Sequence, residues 1–263
     1  MAHSITILGT GGDSIVVGRQ LRASGGIVIT TAENQIHLDP GPGALIGLKQ
    51  HGLHPRETTA VLLSHQHVNH ATEAAALITA MTHNGMDRRG VLVTNDLERG
   101  LVPLHQRHLL ERAFALQPRG RVGINDVEVK AFAAKHYDSD ALHYLIQTPD
   151  YSLGYITDTA YVKSLADTFK DATVLIINCK YPDNTAEGDH LDIDAVRKLL
   201  TEVSPQLAII THFGAKMLDA DPLAQARTLH RDTGVQVVAG KDGLRISPSH
   251  YDAKRRQKTL KRY

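Results

Sequence analysis

Residues 64–70 read SHQHVNH and place three histidines, His65, His67 and His70, within six residues. An apolar run, AVLL at 60–63, leads into this segment, and a helical pattern begins just after it. Residues two apart on an extended strand end face the same side, so His65 and His67 can point to one place. His70 follows three residues later, at the turn into the helix, and can reach a second place nearby. Because imidazoles bind zinc, iron, manganese or nickel, the spacing indicates a site for two metal ions.

The histidine segment has a second interpretation as a solvated loop, since the chain has 16 histidines among 263 residues. Five other residues favour the metal site, because they follow predicted strands or stand in short motifs further along the chain. They are Asp39 in LDPGPG, His136 in KHY, Asp158 in GYITDT, His190 in GDHLD and His212 in ITHFG. Asp158 and His212 end predicted strands, at the edge where sites assemble in α/β sheets. Taken alone, Asp158 is equally well explained as the N-cap of the helix predicted after it.

The order of these motifs resembles the metallo-β-lactamase superfamily, over most of the chain from TILGTGG (6–12) to THFG (211–214). The sharpest resemblance is to its phosphodiesterase branch, which contains the tRNA 3′-end processing nucleases and related small cyclic phosphodiesterases. Those proteins have an ILGTGG-type turn, an LD-x-G strand end and H-x-H-x-D-H, followed by a His, a GDT-type Asp, a GHL-type His and a THF-type His. The resemblance implies an α/β fold, the four-layer αββα sandwich, with the site on one edge of its paired sheets.

The resemblance also implies a role for each motif residue. One metal ion would bind His65, His67, His136 and Asp158, and the other would bind His70, Asp158 and His212. His190 would give a proton to the leaving group, and Asp39 would hold a ligand histidine by hydrogen bonding. The implied cofactors are one or two divalent metal ions, zinc first, with manganese and iron as alternatives. The implied function is a metal-dependent hydrolase, with a phosphodiesterase acting through a metal-bound hydroxide preferred.

One residue departs from the family motif, because Asn69 stands where the family has Asp directly before the third histidine. A carboxylate is an anionic ligand and a base, whereas an amide offers only a neutral carbonyl oxygen. We therefore expect the second metal ion to bind more weakly. Three outcomes stay open: two ions with one held weakly, one ion with slow hydrolysis, or no catalysis.

Two other functions fit the same residues. A hydrolase with these ligands could cleave a carboxylic ester, lactone or thioester, since the same nucleophile attacks carbon as well as phosphorus. A non-catalytic, metal-stabilised protein that binds nucleic acid is the third hypothesis. The expected partner is a phosphodiester-containing small molecule or a nucleic acid, and a homodimer is compatible with the resemblance.

The bulk composition gives no reason to expect a nucleic-acid coat or a membrane partner. Basic and acidic residues number 29 and 28, and no run of 18 apolar residues is present. Cys179 is the only cysteine, which suits a reducing cytoplasm, and it is expected to be a buried structural thiol. Residues 1–250 are predicted to form a single hydrolase domain, followed by a basic tail at 251–263. Six of the tail's thirteen residues are basic: Lys254, Arg255, Arg256, Lys258, Lys261 and Arg262.

Short apolar, β-branched runs predict strands, and helical patterns alternate with them in the second part of the chain. The predicted strands are 4–9, 26–31, 35–39, 60–64, 91–95, 127–134, 143–148, 152–158, 173–178, 207–212, 235–239 and 244–247. The predicted helices are 71–81, 95–101, 158–169, 191–203 and 221–233. GTGGDS at 9–14 lacks the third glycine of a dinucleotide motif, and the IVVG after it looks extended, so a tight turn is predicted there.

Overall fold

The computed structural model of the protein describes residues 3–137, 140–185 and 188–251. The predicted basic tail, apart from Tyr251, lies outside the described residues. Within the described ranges, no helix is long and apolar enough to cross a membrane.

Two β-sheets form the centre of the described structure. Their strands are β1 (Ser4–Ile7), β2 (Ile27–Thr30), β3 (Gln35–Leu38), β4 (Ala60–Leu62), β5 (Val91–Thr94), β6 (Arg112–Ala115), β7 (Arg121–Ile124), β8 (Val127–Ala133), β9 (Leu142–Gln147), β10 (Ser152–Ile156), β11 (Val174–Tyr181), β12 (Leu191–Asp192), β13 (Leu207–Thr211), β14 (Gln236–Ala239) and β15 (Arg245–Ile246). The first sheet has the order β15-β1-β2-β3-β4-β5-β6, and the second has the order β14-β13-β11-β10-β9-β8-β7, with β12 paired to β11.

Helices cover the outer face of each sheet. They are α1 (Ser14–Gly18), α2 (Ala44–Gln50), α3 (Val68–Ala71), α4 (Ala74–Met81), α5 (Leu104–Arg107), α6 (Ser164–Phe169), α7 (Ile193–Val203), α8 (Ala215–Asp219) and α9 (Pro222–Thr233). One apolar cluster joins the facing sides of the two sheets, a second packs α6, α7 and α9 on the second sheet, and a third packs α2 and α4 on the first. The predicted four-layer αββα sandwich is therefore confirmed.

The burial of each strand explains which runs the sequence revealed. All twelve predicted strands are present, because their apolar side chains are buried on one or both faces. The sequence missed β6 and β7, which are the terminal strands of their sheets and are half exposed, so they carry little hydrophobic pattern. It also missed β12, which has only two residues.

Two predicted helices, α7 and α9, are confirmed almost to their ends. The Asp192 side chain caps α7 by accepting a hydrogen bond from the Ala195 amide, at 2.9 Å. The Asp221 side chain caps α9 through the Leu223 amide, and Gly234 ends that helix with φ of 73°. Asp192 thus fixes the first turn of α7.

Four local predictions need correction. The helix predicted at 71–81 is divided into α3 and α4, and the one predicted at 95–101 is absent, because the Asp96 carboxylate accepts hydrogen bonds from the Glu98 and Arg99 amides and forms a turn. The helix predicted at 158–169 begins only with α6, since residues before it bond to the loop after β8: Ala160 N donates to Lys135 O at 2.8 Å. The IVVG segment is helical in α1, because Asp13 caps it through the Val16 amide.

Candidate metal centre

The predicted site residues lie together on one edge of the paired sheets. His65, His67 and His70 follow β4, Asp158 follows β10, His212 follows β13, His136 lies between β8 and β9, and His190 precedes β12. The parallel strands β10, β11 and β13 all end at this edge, and antiparallel β9 begins there, which brings the β8–β9 loop to the same place. The first sheet contributes three residues and the second sheet contributes four.

The first cluster contains His65, His67, His136 and Asp158. The Nε2 atom of His65 lies 2.8 Å from Nδ1 of His67, and Nε2 of His136 lies 3.3 Å from the same nitrogen. An Asp158 carboxylate oxygen lies 4.0 Å from Nε2 of His65. His65, His136 and Asp158 are buried, and His67 is partly exposed. Three ring nitrogens and a carboxylate therefore face a common point.

The second cluster contains His70, His212 and the same Asp158. One Asp158 oxygen lies 3.4 Å from Nε2 of His70, and the other lies 3.1 Å from Nε2 of His212. His212 has a φ of 64°, in the left-handed region that non-glycine residues rarely adopt. Burial alone would raise the pKa of Asp158, but His212 and His70 outweigh it and hold that pKa well below its ordinary value. Asp158 therefore stays ionised between the two clusters.

The nitrogens of these clusters fit a bound cation. Nε2 of His70 and Nε2 of His212 are buried and make no hydrogen bond of good geometry among the described residues. Leaving a buried polar atom unpaired costs about 1–3 kcal/mol. Both atoms belong to the second cluster, and a metal ion bound by their lone pairs would explain them together. Asp158 also gives the clusters the anionic ligand that a divalent cation favours.

Asp39 supports the clusters from behind. Its carboxylate accepts hydrogen bonds from the Ser64 amide at 2.7 Å, the Ser64 hydroxyl at 2.6 Å and the Tyr155 hydroxyl at 2.7 Å. The same carboxylate lies 2.9 Å from Nδ1 of His70, so the His70 ring is oriented with Nε2 toward Asp158. Although burial alone would lower it, the contacts with Asp158 and Asp39 raise the pKa of His70 to about 10 in the absence of a cation. Asp39 thus orients the His70 ring within the second cluster.

Comparisons with known proteins identify the family of this chain. A model of the beta-lactamase superfamily domain matches residues 34–213, which include the histidine segment, Asp158, His190 and His212. The chain belongs to this superfamily. This chain is also 29% identical over 256 residues to the uncharacterized protein MJ1374 of Methanocaldococcus jannaschii. The match covers 94% of this chain and 95% of that protein.

Solved structures share the superfamily fold. YhfI from Bacillus subtilis, a metallo-beta-lactamase fold protein, aligns with a TM-score of 0.77 and 16% identity over 93% of this chain and 98% of that chain. A diphosphatase from the PhnP family aligns with a TM-score of 0.70 and 13% identity, over 94% and 97%. The short form of human tRNase Z aligns with 0.69 and 14%, over 93% and 98%. At these identities the likeness shows the fold alone, and the predicted metallo-β-lactamase superfamily is confirmed.

Asn69 lies on α3 beside the second cluster of this superfamily site. Its main-chain carbonyl accepts a hydrogen bond from the Ser24 hydroxyl at 2.8 Å. A Cβ atom on Gly41 would lie 2.0 Å from that carbonyl, so only glycine fits at 41. The Asn69 residue lines a small internal cavity together with Asp39, His70 and His212. The backbone at Asn69 is therefore held in place next to the second cluster.

The turn at 9–14 holds the other end of the second cluster. A Cβ atom on Gly12 would lie 2.1 Å from the His212 carbonyl oxygen, and the Gly12 amide donates to the Phe213 carbonyl at 2.9 Å. The Asp242 carboxylate fixes this turn by accepting from the Thr10 amide and hydroxyl. The predicted tight turn at the sandwich edge is present, and its glycine permits the close approach to His212.

His190 lies between Asp158 and Lys180. Its Nδ1 is 3.7 Å from an Asp158 oxygen, and its Nε2 is 3.2 Å from the Lys180 ammonium. Because an ammonium only donates, His190 accepts at Nε2, and the hydrogen that neutral His190 carries is on Nδ1. Burial lowers the pKa of His190 to about 4, with Lys180 adding to the effect and Asp158 opposing it.

Two polar residues of the site were missed by the sequence reasoning. Asp189 lies with its carboxylate 2.7 Å from Nδ1 of His136 and also accepts from the Tyr137 amide. Its signal was its position directly before the motif residue His190. Lys180 follows the buried residues of β11, and no pattern in the sequence predicts its contact with His190. The N-cap interpretation of Asp158 is excluded, because α6 begins at residue 164.

An open cavity of about 580 Å³ leads to the clusters. Its lining combines polar site residues with apolar side chains from α1, α3 and the loops. Its lining includes Val17, Pro42, His67, Val68, Asn69, Tyr137, Asp158, Lys180 and His190. A cavity of this size suits a small organic molecule.

Proposed function

We propose that the protein is a metal-dependent hydrolase of phosphodiesters, with residues 1–250 as one hydrolase domain. The observation that carries the proposal is the pair of histidine clusters that share Asp158, with unpartnered nitrogens on His70 and His212, next to an open cavity. Solved proteins of the same fold that are named a diphosphatase and a tRNase Z support phosphorus chemistry.

The cluster residues have distinct proposed roles. His65, His67, His136 and Asp158 would hold one ion, and His70, Asp158 and His212 would hold the other. A bound divalent metal lowers the pKa of water from 15.7 to about 7 and stabilises negative charge that develops on phosphoryl oxygens. Asp158 would fix the relative position of the two clusters, because one of its oxygens faces both His65 of the first and His70 of the second, while its other oxygen faces His212.

His190 is the proposed proton donor to the leaving oxygen. Its place in the cavity, between Asp158 and Lys180, puts an imidazole next to the clusters. When Nδ1–H gives its proton to the leaving oxygen, the Lys180 ammonium can transfer a proton to Nε2, because these two nitrogens are already in contact. The Asn69 amide cannot accept a proton as a carboxylate could. The proposed proton transfers therefore involve His190 and Lys180.

The proposal extends to the metal and to the location of the protein. Zinc is the first cofactor expected, because imidazole-rich sites suit it, and the solved structures of this fold include a zinc-bound PqqB from Methylobacterium extorquens. A cytoplasmic location is proposed from the single cysteine, Cys179, which is buried and reduced. A homodimer stays a prediction.

The first test is metal content per chain, measured by elemental mass spectrometry on protein purified without an affinity-metal column. We expect close to two ions before dialysis and close to one after dialysis against low free zinc and manganese. Turnover is then compared on bis(4-nitrophenyl) phosphate, 4-nitrophenyl acetate and a simple lactone. Faster turnover of the phosphate is the expected result.

The same experiment separates the alternatives. Turnover of the acetate or lactone with none of the phosphate would replace the proposal with a carboxylic ester or lactone hydrolase, and a thioester probe extends that test. Metal binding with thermal stabilisation but no turnover of any probe would indicate a non-catalytic, metal-stabilised protein. Absence of bound metal under every condition would overturn the metallohydrolase proposal as a whole.

A further inference from the structure

Lys180 is a cation without a carboxylate partner in the described structure. It is the penultimate residue of β11, and its main-chain carbonyl accepts a hydrogen bond from the Gly214 amide at 3.0 Å. Its ammonium contacts Nε2 of His190 at 3.2 Å and lies 5.5 Å from the centre of the Tyr181 ring. Among the described residues, none of the ion pairs joins Lys180 to an acid. The backbone is thus fixed while the charge is left uncompensated.

The two acids that line the same cavity are otherwise engaged. Asp13 accepts hydrogen bonds from the Val16 amide and, with its other oxygen, from the Ala215 amide at 3.1 Å. Asp158 belongs to the two histidine clusters. A half-buried ammonium is stabilised when an anion pairs with it, and charge-assisted hydrogen bonds are stronger than neutral ones. The N–H groups of the Lys180 ammonium that do not contact His190 are therefore available to an anionic ligand in the cavity.

Apolar side chains form another part of the lining of this cavity. Val17, Pro42, Val68 and Tyr137 line it, and Val68 and Tyr137 are 67% and 75% exposed. The Tyr137 ring lies 4.6 Å from the His67 ring, tilted by 32°, so it extends the lining outward from the first cluster. Large apolar side chains exposed beside a polar site commonly contact the organic part of a ligand.

We propose that Lys180 is the anion subsite of this cavity and that the Tyr137–Val68 wall receives one flat apolar arm of the substrate. The substrate class is then a small phosphodiester monoanion rather than a neutral ester. This inference rests on the proposed phosphodiesterase function, and it adds the residue that selects for the charge. A carboxylic ester carries no negative charge for Lys180 to bind, whereas a phosphodiester always carries one at neutral pH.

The test compares wild type with Lys180→Met and Lys180→Arg, and uses Lys170→Met, an exposed lysine that does not line the cavity, as the matched control. The probe is diphenyl phosphate, with binding measured by calorimetry and with bis(4-nitrophenyl) phosphate turnover measured in parallel. We expect Lys180→Met to weaken diphenyl phosphate binding and raise KM by roughly 10- to 100-fold, the value of one charge-assisted hydrogen bond. Lys180→Arg should recover most of the binding, and Lys170→Met should match wild type.

The outcomes separate this inference from the function on which it rests. If wild type cleaves the bis-aryl phosphate while Lys180→Met changes neither KM nor binding, the anion subsite is wrong and the phosphodiesterase proposal stands. If wild type binds diphenyl phosphate in a Lys180-dependent way but cleaves no phosphodiester, the subsite stands and the proposed function is wrong. If wild type neither binds nor cleaves, both are overturned.

The apolar wall has its own comparison. Tyr137→Ala should weaken diphenyl phosphate binding by roughly 5- to 20-fold but leave the affinity for dimethyl phosphate, which has no flat arm, within about twofold. An equal loss for both phosphates would mean that Tyr137 acts on the clusters through His67 and would remove the wall from the proposal. Equal affinity of wild type for both phosphates would do the same.

Discussion

The two clusters on either side of Asp158 differ in their residues and in the contacts that support them. The first has three histidines, and one of them, His136, is supported by Asp189 at 2.7 Å. The second has two histidines and stands beside Asn69, which brings no charge, but its His70 is oriented by a carboxylate with three further hydrogen bonds. The first cluster is richer in ligands, and the second is more deeply buried and more firmly positioned.

Within one site, the number of candidate ligands and the contacts that orient them can therefore vary independently. His65, His70, His212 and Asp158 are all buried, whereas His67 is partly exposed. We expect the first cluster to bind its ion more tightly, because it has one more ligand. We expect the second to depend more on Asp39, because fewer ligands leave more of the affinity to their orientation.

Removal of Asp158 should have the largest effect, since both clusters share it. In Asp158→Ala, we expect metal content to fall to near zero and phosphodiester turnover to fall by roughly a thousandfold or more. Elemental analysis and circular dichroism on the same sample check that the loss occurs in folded protein. Asp167→Asn, an exposed acid on α6, is the control that should keep both ions. If Asp158→Ala retained one ion and its turnover, the clusters would be independent.

Acid should also lower the free energy of unfolding through buried groups outside the clusters. His37 is such a group, and its contribution can be measured separately. Burial lowers the pKa of His37 to about 4, although its Nε2 contacts the Gly25 carbonyl at 2.8 Å. Because the folded pKa is below the ordinary 6.5, this stability is fully present above pH 6.5 and is lost as the pH falls toward 4. In metal-free protein, His37→Gln should reduce the difference in unfolding free energy between pH 7 and 4.5 by about 2–3 kcal/mol.

Urea unfolding of wild type and His37→Gln at the two pH values checks this prediction. An unchanged difference would mean that His37 is already accessible to protons in the folded state. Loss of metal by wild type over the same pH range, measured separately, then reports on the ligands alone.

The sequence predicted the members of the two clusters better than the residues that position them. His65, His67, His70, Asp158 and His212 stand at strand ends with fixed spacing, so short-range geometry and strand direction bring them together. Asp189, Lys180 and the Tyr155 hydroxyl reach the site through loops and a facing sheet, and no local pattern encodes that distance.

The same reasoning explains the errors in the fold. Buried strands and the amphipathic helices α7 and α9 carry their pattern in their own residues. The short helix α2 is instead capped by Glu73, which lies about thirty residues later in the chain and accepts from the Gly43 amide at 2.7 Å and the Leu45 amide at 2.9 Å. Edge strands and helices of this kind depend on tertiary contacts that the local sequence does not show.

Asp39→Asn should affect the two clusters unequally, because it keeps the size of the side chain but removes the charge that orients His70. We expect the affinity of the second cluster to fall by roughly 10- to 100-fold, with a smaller loss at the first. Competition with a zinc chelator, followed to two separate dissociation constants, measures both effects. Asp189→Asn is the mirror variant, which should weaken the first cluster more, since its carboxylate contacts His136. Equal losses of affinity at both clusters in each variant would mean that Asp39 and Asp189 do not support the clusters separately.

Asn69→Asp should have the smallest effect and the opposite sign. A carboxylate at this position, beside His70 and His212, would add the charge that the second cluster lacks. We expect the weaker ion to bind roughly tenfold more tightly, because affinity for hard and borderline cations rises with ligand charge. The chelator competition measures it, with Asn84→Asp, an exposed residue outside both clusters, as the matched control. Unchanged affinity would mean that the positioning by Asp39, and not the ligand at 69, limits the second cluster.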